Sequence, residues 1–167
     1  MKTLKTLLLA LFICSLSLAC KKDKMPKPTQ TGANTMYAKI NGQPWEKKAC
    51  WSCIGGGLEV GYDDRTLFVA VGQNKDQNIN VSLIVKELKS VGLHELSNQS
   101  INYARIYNFN EETRYFTTNN NKGSVTITKL DLTNKIISGT FEFTAEDENN
   151  SANTVKVTDG WFDITYQ

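Results

Sequence analysis

From Met36 to the end of the chain, apolar residues recur at every second position, and that spacing commits this stretch to strands. Ile79, Val81, Leu83 and Val85 alternate with Asn80, Ser82, Ile84 and Lys86. Val125 and Ile127 alternate with Thr126 and Thr128, and Ile137, Gly139, Phe141 and Phe143 alternate with Ser138, Thr140, Glu142 and Thr144. Successive side chains of a strand point to opposite faces, so each run offers one face to a core and the other to water. Further strands are expected around 37–41, 58–62, 66–72, 101–109, 113–118 and 154–166, with turns at Asn41-Gly42, Asp63-Asp64, Lys122-Gly123 and Asn134-Lys135. Only residues 85–96 have the spacing for a short helix, which Ser90 and Gly92 would end. The expected fold is all-β: a single antiparallel β-sandwich or flattened barrel of about 8–10 strands. Roughly 130 residues suffice to enclose one such core.

The C-terminal strand carries a break in parity. Val155 and Val157 share one face under strict alternation, whereas Phe162, Ile164 and Tyr166 fall on the other. Either a bulge at Asp159-Gly160 within one long strand or a tight Asp-Gly turn restores the frame. The bulge is the preferred reading, because a strand over 153–166 then matches a strand over 134–144 across the acidic loop 145–152.

Ahead of this domain, residues 1–19 read as an export signal. Lys2 and Lys5 precede an apolar stretch from Leu7 to Ala19, too short to span a bilayer and of the length of a signal's apolar core. No later stretch is as apolar. Ser17-Leu18-Ala19-Cys20 resembles a lipobox, where bacterial lipoprotein signals are cut before a cysteine that is then acylated; the usual leucine three residues before the cysteine is Ser17 here. The cysteine count agrees: Cys14 leaves with the signal, acylation takes Cys20, and Cys50 and Cys53 remain as a pair. With Lys2 and Lys5 removed, 17 basic side chains face 17 acidic ones, so attachment to a membrane would rest on acyl chains and not on charge. The same balance leaves no basic footprint for nucleic acid. Residues 20–35 are expected as the lipidated Cys20 and a flexible tether, with Pro26, Pro28 and only Met25 as a large apolar side chain. Residues 36–167 are the β-domain. The expected location is the cell envelope, on the outer membrane, with both of its faces left open because no acidic run follows Cys20.

Ala38-Lys39-Ile40-Asn41-Gly42-Gln43-Pro44-Trp45, together with Ser138-Gly139-Thr140-Phe141-Glu142-Phe143-Thr144-Ala145 and Val155-Lys156-Val157-Thr158-Asp159-Gly160-Trp161-Phe162, resembles a family of small Bacteroidetes lipoproteins of unknown function. The resemblance implies a lipid-anchored β-domain and carries no catalytic residue across.

Candidate chemistry is sparse. Cys50-Trp51-Ser52-Cys53 has thiol–disulfide exchange spacing, but Gly55, Gly56 and Gly57 each cost a following helix about 0.8–1 kcal/mol, and all three prolines precede Cys50. A structural disulfide in an oxidising compartment is the preferred reading. Zinc would need two further ligands, and His94 is the sole histidine. His94-Glu95-Leu96-Ser97-Asn98 begins like a metalloprotease motif but ends in Asn98, and no G-x-S-x-G accompanies the histidine for a hydrolase triad. Glu146, Asp147 and Glu148 lack the alternation of a calcium loop and read as a solvated hairpin tip. No catalytic residue, metal site or cofactor is therefore assigned. Trp45, Trp51 and Trp161 are the candidate ligand contacts, with Tyr103, Tyr107 and Tyr115 behind them. The expected function is a non-enzymatic lipid-anchored module that binds an envelope protein or glycan. The rivals are a periplasmic thiol–disulfide oxidoreductase using Cys50 and Cys53, and a carbohydrate-binding or hydrolase-type protein with a spatially assembled carboxylate pair.

Overall fold

The computed structural model describes residues 25–48, 58–63, 67–99 and 101–166. Among these it is all-β, without a helix. The strands are β1 (Thr35–Ile40), β2 (Gln43–Glu46), β3 (Leu58–Asp63), β4 (Leu67–Asn74), β5 (Ile79–Lys86) and β6 (Gly92–Leu96). They continue as β7 (Tyr103–Asn108), β8 (Thr113–Phe116), β9 (Gly123–Asp131), β10 (Ile136–Asp147) and β11 (Thr154–Thr165). All pair antiparallel in one sheet of order β2-β1-β11-β10-β8-β7-β5-β4-β3, with β9 on β10 and β6 on β9. β10 is where the sheet forks: its first part pairs with β9, whereas Glu146 and Asp147 pair with β8.

The sheet is not closed, but its ends approach. The Lys48 amide donates to the Gln73 carbonyl (3.0 Å), and Asn74 Nδ2 donates to the Glu46 carbonyl (2.7 Å), tying the end of β2 to β4. Inner faces meet across the core: Phe68 of β4 stacks on Phe162 of β11 with centroids 5.5 Å apart. Gly72 marks the closest approach of the walls, since a Cβ there would sit 2.7 Å from both Met36 Sδ and Trp45 Cη2. The architecture is an open antiparallel sheet folded over one core, a sandwich or flattened barrel.

Two of the eleven strands are absent from the sequence expectation. β2 contains Pro44, which reads against a strand, yet β2 is an edge strand, where a missing N–H leaves no gap in the ladder. β6 falls within the expected helix over 85–96, and that expectation is corrected here. Val85 and Lys86 complete β5 opposite Phe68 and Leu67, Glu87 turns the chain with a φ of 54°, and Gly92–Leu96 pairs with β9. Leu88, between them, is a core side chain and not part of a helix face.

The bulge in β11 is present. Phe141 pairs with Gly160 and Phe143 with Val157, so Glu142 opposes both Thr158 and Asp159. Asp159 takes a φ of 52°, and a Cβ on Gly160 would lie 2.6 Å from the Phe141 carbonyl oxygen and ring. The extra residue lets Val155, Val157, Phe162 and Ile164 all face the core from one strand.

The expected tether over 20–35 is held to the sheet from Thr29 onward. The fully buried Asp163 of β11 accepts bonds from Thr29 Oγ1 (2.6 Å) and from the amides of Thr31 (2.9 Å), Gly32 (2.8 Å) and Ala33 (3.1 Å). Ser138 Oγ of β10 donates to the same carboxylate at 2.8 Å. Burial would raise the Asp163 pKa, but the bonds from Thr29, Ala33, Gly32 and Thr31 outweigh it and hold the carboxyl well below the usual range. Gln30 adds a bond from its Nε2 to Thr128 Oγ1 of β9 (3.0 Å). Residues 29–34 thus form a strap across the outer face of β11, β10 and β9. β1 itself starts one residue before the expected domain boundary.

Candidate functional site

At one end of the barrel, the ends of β1 and β7 and the starts of β5 and β11 leave a cavity of about 420 Å³. That lies within the common range for small-ligand pockets, roughly 300–1,000 Å³. Its base is apolar: Ile40, Ile106 and Val155 are buried core side chains, and Ile79 packs against the same core. The β1–β2 turn that shapes one side has two central residues, Asn41 and Gly42, with φ of 49° and 79°. This is the tight hairpin that an Asn-Gly pair favours.

Polar side chains from separate turns stand around that base. Asn41 Oδ1 accepts from the Lys156 amide (2.9 Å) and Asn108 Oδ1 from the Asn110 amide (3.0 Å), so each turns an Nδ2 donor outward without a bond among the described residues. Asn153 is held the opposite way: its Nδ2 donates to Tyr115 Oη (3.2 Å) and Asp147 Oδ2 (3.2 Å), which leaves its Oδ1 as a free acceptor. Tyr115 donates to Glu111 Oε2 (3.3 Å), leaving Oε1 unengaged. Burial pushes the Tyr115 pKa up, the bond from Asn153 opposes the rise, and the Glu111 charge adds to it. The phenol therefore remains a donor. The cavity thus sets buried aliphatic side chains beneath a rim in which Asn41, Glu111 and Asn153 are exposed and Asn108 half-buried.

The tryptophans lie elsewhere. Trp45 is 1% exposed in the core, and its Nε1 donates to the Ile79 carbonyl at 3.2 Å, so it buttresses the cavity wall from behind. Trp161 is buried on the outer face of β11, stacked on Tyr37 with planes at 22°, and its Nε1 has no hydrogen-bond partner. Trp161 lines a shallower groove of about 380 Å³ with Met25, Pro28, Thr140 and Asp159, and that groove opens more widely to solvent than the cavity. Tyr103 and Tyr107 sit on the outer face of β7, the first beside Phe116 and the second beside Phe109. Of the five candidate aromatics among the described residues, Tyr115 alone lines the barrel-end cavity. Cys20, Cys50, Trp51 and Cys53 lie outside the described residues.

The remaining sequence candidates diverge. His94 points its Nε2 into the protein without a partner. Glu146 accepts from Asn121 Nδ2 (2.7 Å), Asp147 from the Asn149 amide (2.8 Å), and Glu148 faces Arg114 at 3.5 Å, so the three acids serve three different neighbours. Among the described residues no group of three ligand-type side chains gathers around a metal position. The residues that sequence reasoning missed are Asn41, Asn108, Glu111 and Asn153. Only the Asn-Gly turn pointed to one of them, and it pointed to a bend and not to a site.

Fold and cavity define a class: an antiparallel β-protein with a small polar-rimmed pocket at one end of the folded sheet. Within that class, the chain belongs to the family described as a domain of unknown function, DUF6252, whose model matches residues 34–164. Comparison with curated proteins found no match, and comparison with solved structures found none. The matched range takes in every described strand except the last residue of β11.

Proposed function

We propose that this protein is an exported lipoprotein, acylated at Cys20 on the outer membrane, whose β-domain is a non-catalytic binding module with the barrel-end cavity as its site. The likeness to Bacteroidetes lipoproteins supports the anchor, as do the charged start and apolar core of residues 1–19 and the small Ala19 before Cys20. Two or three acyl chains, at about 0.8 kcal/mol per buried CH₂, make such anchoring stable without charge. The strap sharpens the picture: Thr29 is nine residues past Cys20, which keeps the domain within about 30 Å of the anchored residue at about 3.3 Å per residue.

The observation that carries the binding half is the cavity of about 420 Å³ that Asn41, Asn108, Glu111 and Asn153 line together from different hairpins. Among the described residues, Glu111 is the only acidic side chain lining the cavity, and its Oε2 accepts from Tyr115 Oη. An envelope glycan or protein segment would reach this open end directly.

Cys20→Ala tests the anchor. The variant is expected to leave the membrane fraction while keeping its far-ultraviolet spectrum and thermal midpoint. A Cys20→Ala protein that still pellets with membranes, or a native N-terminus found unacylated by mass spectrometry, would overturn the reading.

A further inference from the structure

We infer that residues 25–28 are a flap that opens on its own, hinged at Thr29, and that its opening uncovers the Trp161 indole on the outer face of the sheet. Neither a ligand in the barrel-end cavity nor an acyl anchor is needed for this motion. The segment ahead of β1 is held in two different ways. From Thr29 to Ala33 it is fastened by hydrogen bonds. Thr29, Thr31, Gly32 and Ala33 all donate to Asp163. Lys129 Nζ donates to the Gln30 carbonyl (2.9 Å), and Thr165 Oγ1 donates to the Gly32 carbonyl (3.0 Å). Residues 25–28 make no hydrogen bond among the described residues. Two of these four are Pro26 and Pro28, which have no N–H to donate. The bond from Thr29 Oγ1 to Asp163 Oδ2, at 2.6 Å, therefore marks where the fastening begins.

What holds the flap is packing at one side chain. Pro26, Lys27 and Pro28 are exposed, whereas Met25 is half-buried. Met25 and Pro28 line the groove of about 380 Å³ whose sheet side includes Thr126, Thr140 and Trp161. Methionine suits such a gap, because its unbranched, polarizable side chain adapts to an irregular surface. Trp161 lies on the outer face of β11 and is still only 4% exposed, so it must be covered from that side. Tyr37 covers it from β1 by stacking, and Met25 covers it from the groove. The cover has one fault: it shuts the indole Nε1 away from water and supplies no acceptor. A buried donor left unpaired opposes closure, and opening returns that donor to water. Segments with few apolar contacts and no hydrogen bonds are the ones that open locally, ahead of the whole fold. A loosely packed stretch joined at Thr29 to a hydrogen-bonded one thus opens without it. Closed, the flap is an internal occupant of the groove; open, it leaves an indole N–H that can donate.

The test is hydrogen exchange followed by nuclear magnetic resonance on the mature protein in detergent micelles, with the Trp161 indole signal assigned by its loss in Trp161→Phe. The indole N–H should exchange at least about tenfold more slowly than a free indole, and its protection factor should lie at least about a hundredfold below those of the Gly32 and Ala33 amides. Met25→Ser should lower the indole's protection at least about fivefold and leave both amides and the thermal midpoint unchanged. A smaller gap between the indole and the two amides would mean that residues 25–28 open only together with the strap. An indole that exchanges like a free one, or that Met25→Ser leaves unmoved, would mean that Met25 is not its cover. Loss of protection at Gly32 and Ala33 in Met25→Ser would remove the hinge at Thr29. Each of these three results overturns the flap.

Discussion

The Asp163 cluster on the outer face of β11 and the Asn41–Asn108–Asn153 rim at the end of the barrel are both polar and both join distant parts of the chain. They differ in how much of their hydrogen-bonding capacity the protein itself uses. Asp163 has no exposed surface, and six neighbouring groups donate to its two oxygens, so nothing is left for a ligand. Around the cavity, each group uses one end of its capacity to fix its orientation and keeps the other end unbonded. A saturated, buried cluster holds the fold, whereas the rim side chains stand largely in solvent. Stability and binding should therefore separate cleanly between the two places.

The largest effect falls on the saturated side. Asp163→Ala removes several charge-assisted bonds at once and should cost about 2–4 kcal/mol, read from the denaturant midpoint, with faster hydrogen exchange at Gly32 and Ala33. Its pH signature has a definite sign. The folded-state pKa lies below that of the unfolded carboxyl, about 3.9, so the unfolded chain binds more protons across the interval between them. The contribution is complete above about pH 5 and is lost as pH falls through the folded-state value. Asp163→Ala should accordingly flatten the acid limb of the stability profile by up to one proton. Equal acid slopes in wild type and variant would show that the carboxylate is not held as described.

A smaller effect is expected at Ser138, whose buried hydroxyl donates to Asp163 at 2.8 Å. Ser138→Ala should cost about 1–2 kcal/mol, less than Asp163→Ala because the five other donors remain. If the two substitutions cost the same, the strap's hold resides in Ser138 and not in the carboxylate's full set of bonds. The smallest stability change belongs to the rim. Glu111→Gln, on an exposed turn, should fall within about 0.5 kcal/mol of wild type. A loss above about 1.5 kcal/mol there would erase the contrast, because the rim would then be structural as well.

How far the sequence reached follows the same division. Alternation marks β5, β9, β10 and β11 because each buries a full set of alternate side chains, even though β5 and β11 also bury residues of the other face, and the change of parity between Val157 and Phe162 marks the bulge. β2 and β6 were hidden by local signals, Pro44 in one and the helix-like spacing after Val85 in the other, that tertiary pairing overrode. Residues 29–34 looked like tether because composition registers apolar burial, and this segment is held by hydrogen bonds to one carboxylate about 130 residues away. Trp45 was singled out as an aromatic contact, but an aromatic in a strand is as easily core, and here it is. The cavity is invisible to alternation for a spatial reason: its Asn and Glu residues come from three separate hairpins, and each alone is an ordinary residue at or beside a turn.

The strap also decides where mechanical load enters the molecule. A tug on the N-terminal end does not arrive first at the edge strand β2, which would peel one bond at a time. It arrives at Asp163, on a strand flanked on both sides by neighbours, and spreads through Ser138 into β10 and through Gln30 into β9. The barrel-end opening, built from other turns, stays outside that path of force.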